Sequence, residues 1–362
     1  MPAAPPPAGA PPPAAPPPAD APRAPLPVVT LIVAMRNEER HIARCVDSLL
    51  AQDYPAERLE VLFMDGRSDD RTRELVAARI GDRTGFAVVD NPGKIQSIAW
   101  NLGIERARGE LVGIVSGHSE LAPDYVSCVV ETLLRTGADL VGGPARAESE
   151  TVVGEAIAMA MSTPFGVGGA EFRYATEERA VDTVFMGVCK RSLYERIGAF
   201  DPEMVRNQDD ELSYRLLEQG GRIVCNPKIR SVYRNRATLG SLWKQYFDYG
   251  RWKVRVMQKH RTQMRPRHFV PPAFVATLGA SALVPPALVA IGGAYGAATM
   301  GMSVYLAARA RRVDVLPYLP AAFAILHVGY GLGFLRGLYQ FRDRWADTES
   351  SAPRPSPQDR EP

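Results

Sequence analysis

The chain has 362 residues, with 43 Lys and Arg set against 40 Asp and Glu, and four cysteines. A net charge of +3, with the basic residues gathered beside apolar runs, excludes the face-wide basic patch of a nucleic-acid-binding protein. Cys45, Cys128, Cys189 and Cys225 lie 36 or more residues apart, which excludes zinc-type spacing and a disulfide framework and fits a reducing, cytosolic setting.

The mean hydropathy of -0.13 averages three kinds of sequence. Residues 1–27 carry 13 of the 31 prolines, and Pro and Ala together fill 22 of those 27 positions. This leader lacks the apolar core of a secretory signal and is expected to be a disordered, polyproline-like arm outside the fold. Near the other end, residues 269–308 and 315–335 contain no Asp, Glu, Lys or Arg, 61 positions in all. A helix of 40 residues would reach ~60 Å, twice a ~30 Å hydrocarbon core, so the first run suits two crossings.

From Val28 the pattern alternates between strand and helix. VVTLIVAM (28–35) is a continuous apolar run, as in a strand covered on both faces, and Ile42, Val46, Leu49 and Leu50 follow at helical spacing. LEVLFMD (59–65) precedes a helix through Leu75 and Val76; FAVVD (86–90) precedes a helix over 94–107; ELVGIVS (110–116) precedes a helix over 123–134. Four such units predict an α/β fold with a mostly parallel sheet. Ligands of these sheets bind beyond the carboxyl ends of the strands. Asn37, Glu38, Asp65, Lys94 and the 116–120 loop should therefore meet in one crevice. Strands are then expected at 181–189, 222–227 and 229–235, with helices at 191–197, 209–219 and 239–260. The 209–219 helix opens on three acids and closes on Gly220 and Gly221. Both GxxxxGK[ST] and GxGxxG are missing, which counts against kinase and dehydrogenase readings.

The ordered segments VTLIVAMRNEERHIARCVDSLLAQDYP, LEVLFMDGRSDDRT, NPGKIQSIAWNLGI and GAFDPEMVRNQDDELSYRLLEQGGRI resemble family 2 glycosyltransferases of GT-A fold. YRNRATLGSLWKQYFDYGRWKVRVMQKH is similar to the succinoglycan glucosyltransferase subgroup. The resemblance implies that Asn37, Glu38 and Asp65 hold the base and ribose of a nucleotide sugar. A carboxylate at a strand end can accept from a uracil N–H or a ribose hydroxyl. Taken as isolated fragments, the same residues read as a turn at Asp65-Gly66 and a helix cap at Glu38. Lys94 is implied near the donor diphosphate. Asp209 is implied as the base that takes the acceptor proton in an inverting transfer, while Asp210 and Glu211 suit the helix dipole.

The chain departs from the family pattern at Ser116-Gly117-His118, where members carry Asp-x-Asp or Asp-x-His for a divalent ion. His118 remains a ligand candidate for Mn²⁺ or Mg²⁺, imidazole suiting Mn²⁺ better, or else bonds locally. Ser116 is left a ribose or water contact, metal affinity is expected to be weakened, and Glu120 is a nearby acid without family precedent. QYFDYGRWK lacks the spacing of the Gln-x-x-Arg-Trp signature, so 236–268 reads as an amphipathic interface helix region.

The expected organisation is a leader (1–27), a GT-A domain (28–235), the interface region (236–268), two or three membrane segments (269–335) and a polar tail (336–362). Basic residues flank every apolar boundary, and the cluster beside the catalytic region places that region in the cytoplasm of a multi-pass membrane protein. The resemblance implies transfer of a hexose, glucose from UDP-glucose, to a polyprenyl-diphosphate-linked saccharide in exopolysaccharide or envelope assembly. Two rival readings are a polyprenyl-phosphate sugar synthase and a nucleotide-sugar-binding scaffold among glycan assembly partners.

Overall fold

The computed structural model describes residues 25–234 and 238–345. Most of the expected leader and all of the tail beyond 345 lie outside the described residues. In chain order the elements are β1 (Val29–Met35), α1 (Ile42–Leu50), β2 (Leu59–Asp65), α2 (Thr72–Ile80), β3 (Phe86–Asp90), α3 (Gln96–Arg106), β4 (Leu111–Ser116), β5 (Ser119–Leu121), α4 (Tyr125–Thr136), β6 (Leu140–Gly143) and β7 (Arg146–Glu148). They continue with α5 (Val152–Met161), α6 (Pro164–Val167), β8 (Arg179–Ala180), β9 (Phe185–Lys190), α7 (Ser192–Ile197), α8 (Gln208–Glu218), β10 (Ile223–Cys225), β11 (Ser231–Arg234), α9 (Leu239–Lys259), α10 (Val270–Ser281) and α11 (Pro285–Ala310). The last, α12 (Leu319–Gln340), passes through a π-helical turn at Ile325–Gly329.

An eight-stranded sheet in the order β3-β2-β1-β4-β9-β6-β10-β8 forms the centre. β1, β2, β3 and β4 are parallel, and their registers align Met35 with Asp65 and Ala34 with Ser116. Winding reverses between β1 and β4, which places a crevice at the carboxyl ends of these two strands. The apolar runs explain the burial: every residue of β2 is buried, Glu60 included. Glu60 accepts from the Thr30 hydroxyl at 2.6 Å and from Arg108 Nε at 2.7 Å. Burial alone would raise its pKa; these donors outweigh that and lower it.

Beyond β4 the order is mixed. β9 inserts antiparallel to both β4 and β6, and a smaller sheet, β5-β11-β7, flanks the crevice. The sequence pattern predicts β9, β10 and β11 in this part but not β6, β7 or β8, and the reason is physical: those three span two to four residues and carry no long apolar run.

The C-terminal helices pack unevenly. α11 and α12 are both long and apolar enough to cross a membrane, and the core window of α11 is only 11% buried. α10 has 12 residues, or ~18 Å of rise, short of a ~30 Å core. The break between α10 and α11 falls just before Pro285 and Pro286, as the prolines predict. α9 differs from the expected interface helix, because residues 253–258 are buried all round its circumference. One side is clamped to α12 through glycines: a Cβ at Gly333 would lie 2.0 Å from the Phe247 carbonyl oxygen, and one at Gly250 would lie 2.0 Å from that of Tyr330.

That close approach predicts an intolerance. Gly333→Leu must push α9 from α12, at a cost of at least ~1–3 kcal/mol by overpacking. A lower thermal midpoint for the detergent-solubilised full chain is expected, and an unchanged midpoint would contradict the clamp.

Candidate active site

The loop after β1 is fixed to the loop after β2 by its own polar side chains. Asn37, in the left-handed region at φ 55° that Asn tolerates, donates its N–H to Ser68 Oγ (3.1 Å), and its side-chain oxygen accepts from Asp69 N (3.1 Å). Glu38 N donates to Thr72 Oγ1 at 2.7 Å. Asp65, buried at the end of β2, accepts from Ser68 Oγ at 2.6 Å and faces Arg73, which also pairs with Asp90.

β4 ends at Ser116, and Gly117 N donates to Ala34 O, holding the next turn against β1. That turn carries His118. Its Nδ1 lies 2.9 Å from Glu38 Oε1, its Nε2 lies 3.1 Å from Ser116 Oγ, and its ring packs edge-on against Tyr233. Ser116 and His118 border a cavity of about 150 Å³ with Trp100, Met186, Asp209 and Tyr249. The Trp100 indole N–H is buried there without a partner among the described residues, and Met186 holds the left-handed φ of 49°, a strained conformation for an unbranched side chain. Lys94 also takes a left-handed φ, 62°, but it is exposed and borders neither this cavity nor the next.

A second cavity of about 410 Å³ opens on the other side of Asp209. Its wall includes Arg173, Tyr249 and Lys253, and continues to Pro271, Leu326 and Tyr330 in the apolar helices. Asp209, Asn207, Phe185, Tyr233, Gln245 and Tyr249 border both cavities.

The three acids that open α8 take three different roles. Asp210 pairs with buried Lys253 at 2.5 Å. Glu211 pairs with Arg215 at 2.8 Å and meets His260 Nε2 at 3.0 Å. Asp209 has no ion pair among the described residues and accepts only from backbone N–H groups, that of Asp210 at 3.0 Å and its own. Burial, then the charge of Asp210, raises the Asp209 carboxyl to about 6. Burial also works against the Asp210 carboxylate, but Lys253 outweighs it and holds that group below its ordinary value. The molecule thus separates one near-neutral carboxyl from a permanently charged neighbour, the division used for acid–base work.

A sequence profile described as Glycosyl transferase family 2 matches residues 30–198. The succinoglycan biosynthesis protein ExoA of Rhizobium meliloti (strain 1021) is 31% identical over 326 residues, covering 87% of this chain and 96% of that protein. The chain belongs to glycosyltransferase family 2. A dolichyl N-acetyl-alpha-D-glucosaminyl phosphate 3-beta-D-2,3-diacetamido-2,3-dideoxy-beta-D-glucuronosyltransferase of Methanococcus voltae is 29% identical over 239 residues, 64% of this chain and 74% of that one. Among solved structures, the mannosyltransferase PcManGT of Pyrobaculum calidifontis, in complex with GDP-Man and Mn²⁺, superposes with a TM-score of 0.56 at 21% identity, over 85% of this chain and 87% of that chain. That likeness establishes the shared GT-A fold.

In this family 2 glycosyltransferase the protein's own donors fall short of a resident metal site. Both ring nitrogens of His118 are engaged, Glu120 is committed to Arg234 at 2.9 Å, and among the described residues no three His, Cys, Asp or Glu side chains gather to hold an ion. The sequence reading singled out Asp209, Ser116 and His118, which the fold brings to one cavity. It missed Lys253, Arg173 and Met186. Lys253 lay hidden in an aromatic and basic helix, and the other two lie in short irregular elements that show no periodicity.

Two outcomes are expected. Transfer measured as kcat/KM should rise with pH through a limb near 6 as Asp209 ionises, whereas a flat profile from about pH 5 to pH 8 would count against it. Lys253→Ala should destabilise the chain by roughly 1–3 kcal/mol by leaving the partly buried Asp210 carboxylate unpaired, measurable by denaturation in detergent.

Proposed function

We propose that this glycosyltransferase moves a hexosyl group, glucose from UDP-glucose, to a hydroxyl of a polyprenyl-diphosphate-linked saccharide, with inversion, during exopolysaccharide or envelope glycan assembly. The observation that carries the reading is the sharing of Asp209 by both cavities. One cavity is bordered by Ser116 and His118 at the end of β4 and is assigned the donor; Asn37, Glu38 and Asp65 stand on the adjoining loops, outside its wall, with Glu38 reaching it only through His118. The other runs to helices with an apolar, exposed surface and takes the acceptor.

In the reaction, the Asp209 carboxylate accepts the proton of the acceptor hydroxyl while that oxygen forms a bond to the anomeric carbon. The bond from that carbon to the diphosphate breaks, and UDP leaves with the electron pair. An unpaired carboxylate also stabilises positive charge on the sugar ring at the transition state. Asp65 and Asn37 are assigned to the nucleoside and Lys94 to the diphosphate, toward which its exposed side chain must swing. A divalent ion, where the donor phosphates bring one, would take His118 as its protein ligand only in exchange for the Ser116 contact at Nε2; no step above depends on it.

A lipid-linked acceptor is supported by the Methanococcus relative, whose name places its sugar transfer on a dolichyl-linked saccharide, and by the route of the larger cavity toward α10 and α12. α11 and α12 are read as membrane-spanning, with the catalytic region on the cytoplasmic side beside Arg261, Arg265 and Arg267.

The test is transfer from a panel of radiolabelled nucleotide sugars by purified full chain, with membrane lipid extract, in Mn²⁺, Mg²⁺ or chelator. Label should appear on a lipid diphosphate saccharide. Label on polyprenyl phosphate alone would overturn the acceptor, and UDP binding without transfer in any condition would make the chain a scaffold. Asp209→Asn should cut transfer by about 10²-fold or more and spare UDP binding. The same variant should raise the thermal midpoint at pH 8: a carboxyl whose folded pKa is raised contributes stability that is lost as pH rises through about 6. Mn²⁺ should bind the chain tightly only when UDP is present.

A further inference from the structure

We propose that Arg173 is the anion-binding residue of the acceptor cavity and holds the phosphate linkage between saccharide and lipid, an assignment that rests on the lipid-linked reading above. Arg173 closes the 3-10 turn Glu171–Arg173 and lines the 410 Å³ cavity, with its guanidinium carbon 5.1 Å from the Phe172 ring centroid. Its side chain makes no hydrogen bond or ion pair among the described residues; the carboxyl that acts on its charge across the cavity is Asp209, itself raised toward neutrality. The other cations of that wall are committed, Lys253 to Asp210 and Arg267 to Asp182 and the Gly169 carbonyl. His268 adds no charge, because burial and then Lys253 and Arg267 hold it down to about 3. The Tyr330 hydroxyl on the same wall is also buried without a partner among the described residues.

A guanidinium keeps its charge in any protein environment and presents a planar fork matched to phosphate oxygens. Leaving it uncompensated beside an apolar wall is unfavourable unless a ligand supplies the anion. Arg173 borders the larger cavity and not the smaller one assigned to the donor, and UDP binding is the control that separates the two anions. An occupant that answers the whole wall has a hydroxyl at Asp209, an anion at Arg173 and a hydrocarbon chain toward Pro271 and Leu326. A prenyl phosphate or diphosphate ester of a saccharide has all three; a free acidic sugar lacks the chain.

The experiment uses the full chain in nanodiscs, with farnesyl diphosphate, farnesyl phosphate, farnesol and glucuronic acid as probes and UDP binding as control. The wild type should bind both farnesyl phosphates and bind farnesol far more weakly. Arg173→Gln should weaken farnesyl diphosphate binding by about tenfold or more, Arg173→Lys should restore part of it, and UDP affinity should stay within twofold of wild type, about 0.4 kcal/mol. The KM for a lipid-linked acceptor should rise in Arg173→Gln while the pH limb near 6 stays in place. A moved limb would make Arg173 the counter-charge of Asp209 and overturn the proposal. Unchanged farnesyl diphosphate affinity, in a variant that unfolds at the wild-type temperature, would overturn it as well, as would glucuronic acid binding that matches farnesyl phosphate. Transfer to a lipid-linked saccharide with an unchanged KM in Arg173→Gln would sink the anion site and leave the lipid reading standing. A wild type that neither binds prenyl phosphates nor transfers to them would overturn both.

Discussion

The ion pair between Asp210 and Lys253 joins the first turn of α8 to α9, and the chemistry of the neighbouring residue follows from it. Three consecutive acids at a helix start are favoured by the dipole, but they cannot all be buried as anions without cations nearby. Lys253 neutralises the second and Arg215 the third. The first is left between two cavities with a raised pKa. Replacing the pair with apolar residues could preserve stability, yet it would also remove the fixed charge against which Asp209 titrates.

Across the crevice, the donor side is built on a different principle. β1, β2 and β4 end in register, so residues far apart in sequence reach a common edge without any bond between side chains being needed to gather them. Hydrogen bonds then fix the loops. Asn37 and Glu38 are tied to the loop after β2 through Ser68, Asp69 and Thr72, and His118 is tied to Glu38. A Ser at the end of β4 can serve this arrangement because its hydroxyl meets the imidazole directly. An acid there would add a second carboxylate within reach of Glu38 and favour a cation between them.

The parts of the molecule legible in the sequence are those with long-range periodicity. VTLIVAM and LEVLFMD are strands buried on both faces and could be read without partners; QDDELSYRLLE carries its acids and apolar stripe within one helix, and Gly220 and Gly221 follow its end. The order of β6 to β10 was not legible, since short strands are positioned by what they pair with. Nor was the acceptor wall. Arg173 stands in a three-residue turn, and its significance is that no carboxylate among the described residues pairs with it, a property of the whole cavity. α9 misled for a related reason: its aromatic and basic mixture suits headgroup depth, but Lys253 and Arg255 are buried because Asp210 and Glu203 come to meet them.

The profile that defines the family ends at residue 198, before Asp209. The sheet can be complete at that boundary, because its first four strands and their covering helices are all upstream. The catalytic arrangement cannot. Gly250 and Lys253 lie about one helical turn apart on α9. The stretch of helix that approaches the backbone of Tyr330 in α12 is therefore also the one that neutralises Asp210 on α8. Tyr330 in turn lines the larger cavity. Helices read as membrane elements and the candidate base thus share one wall, and the electrostatic setting of Asp209 is completed by residues outside the nucleotide-sugar half of the chain.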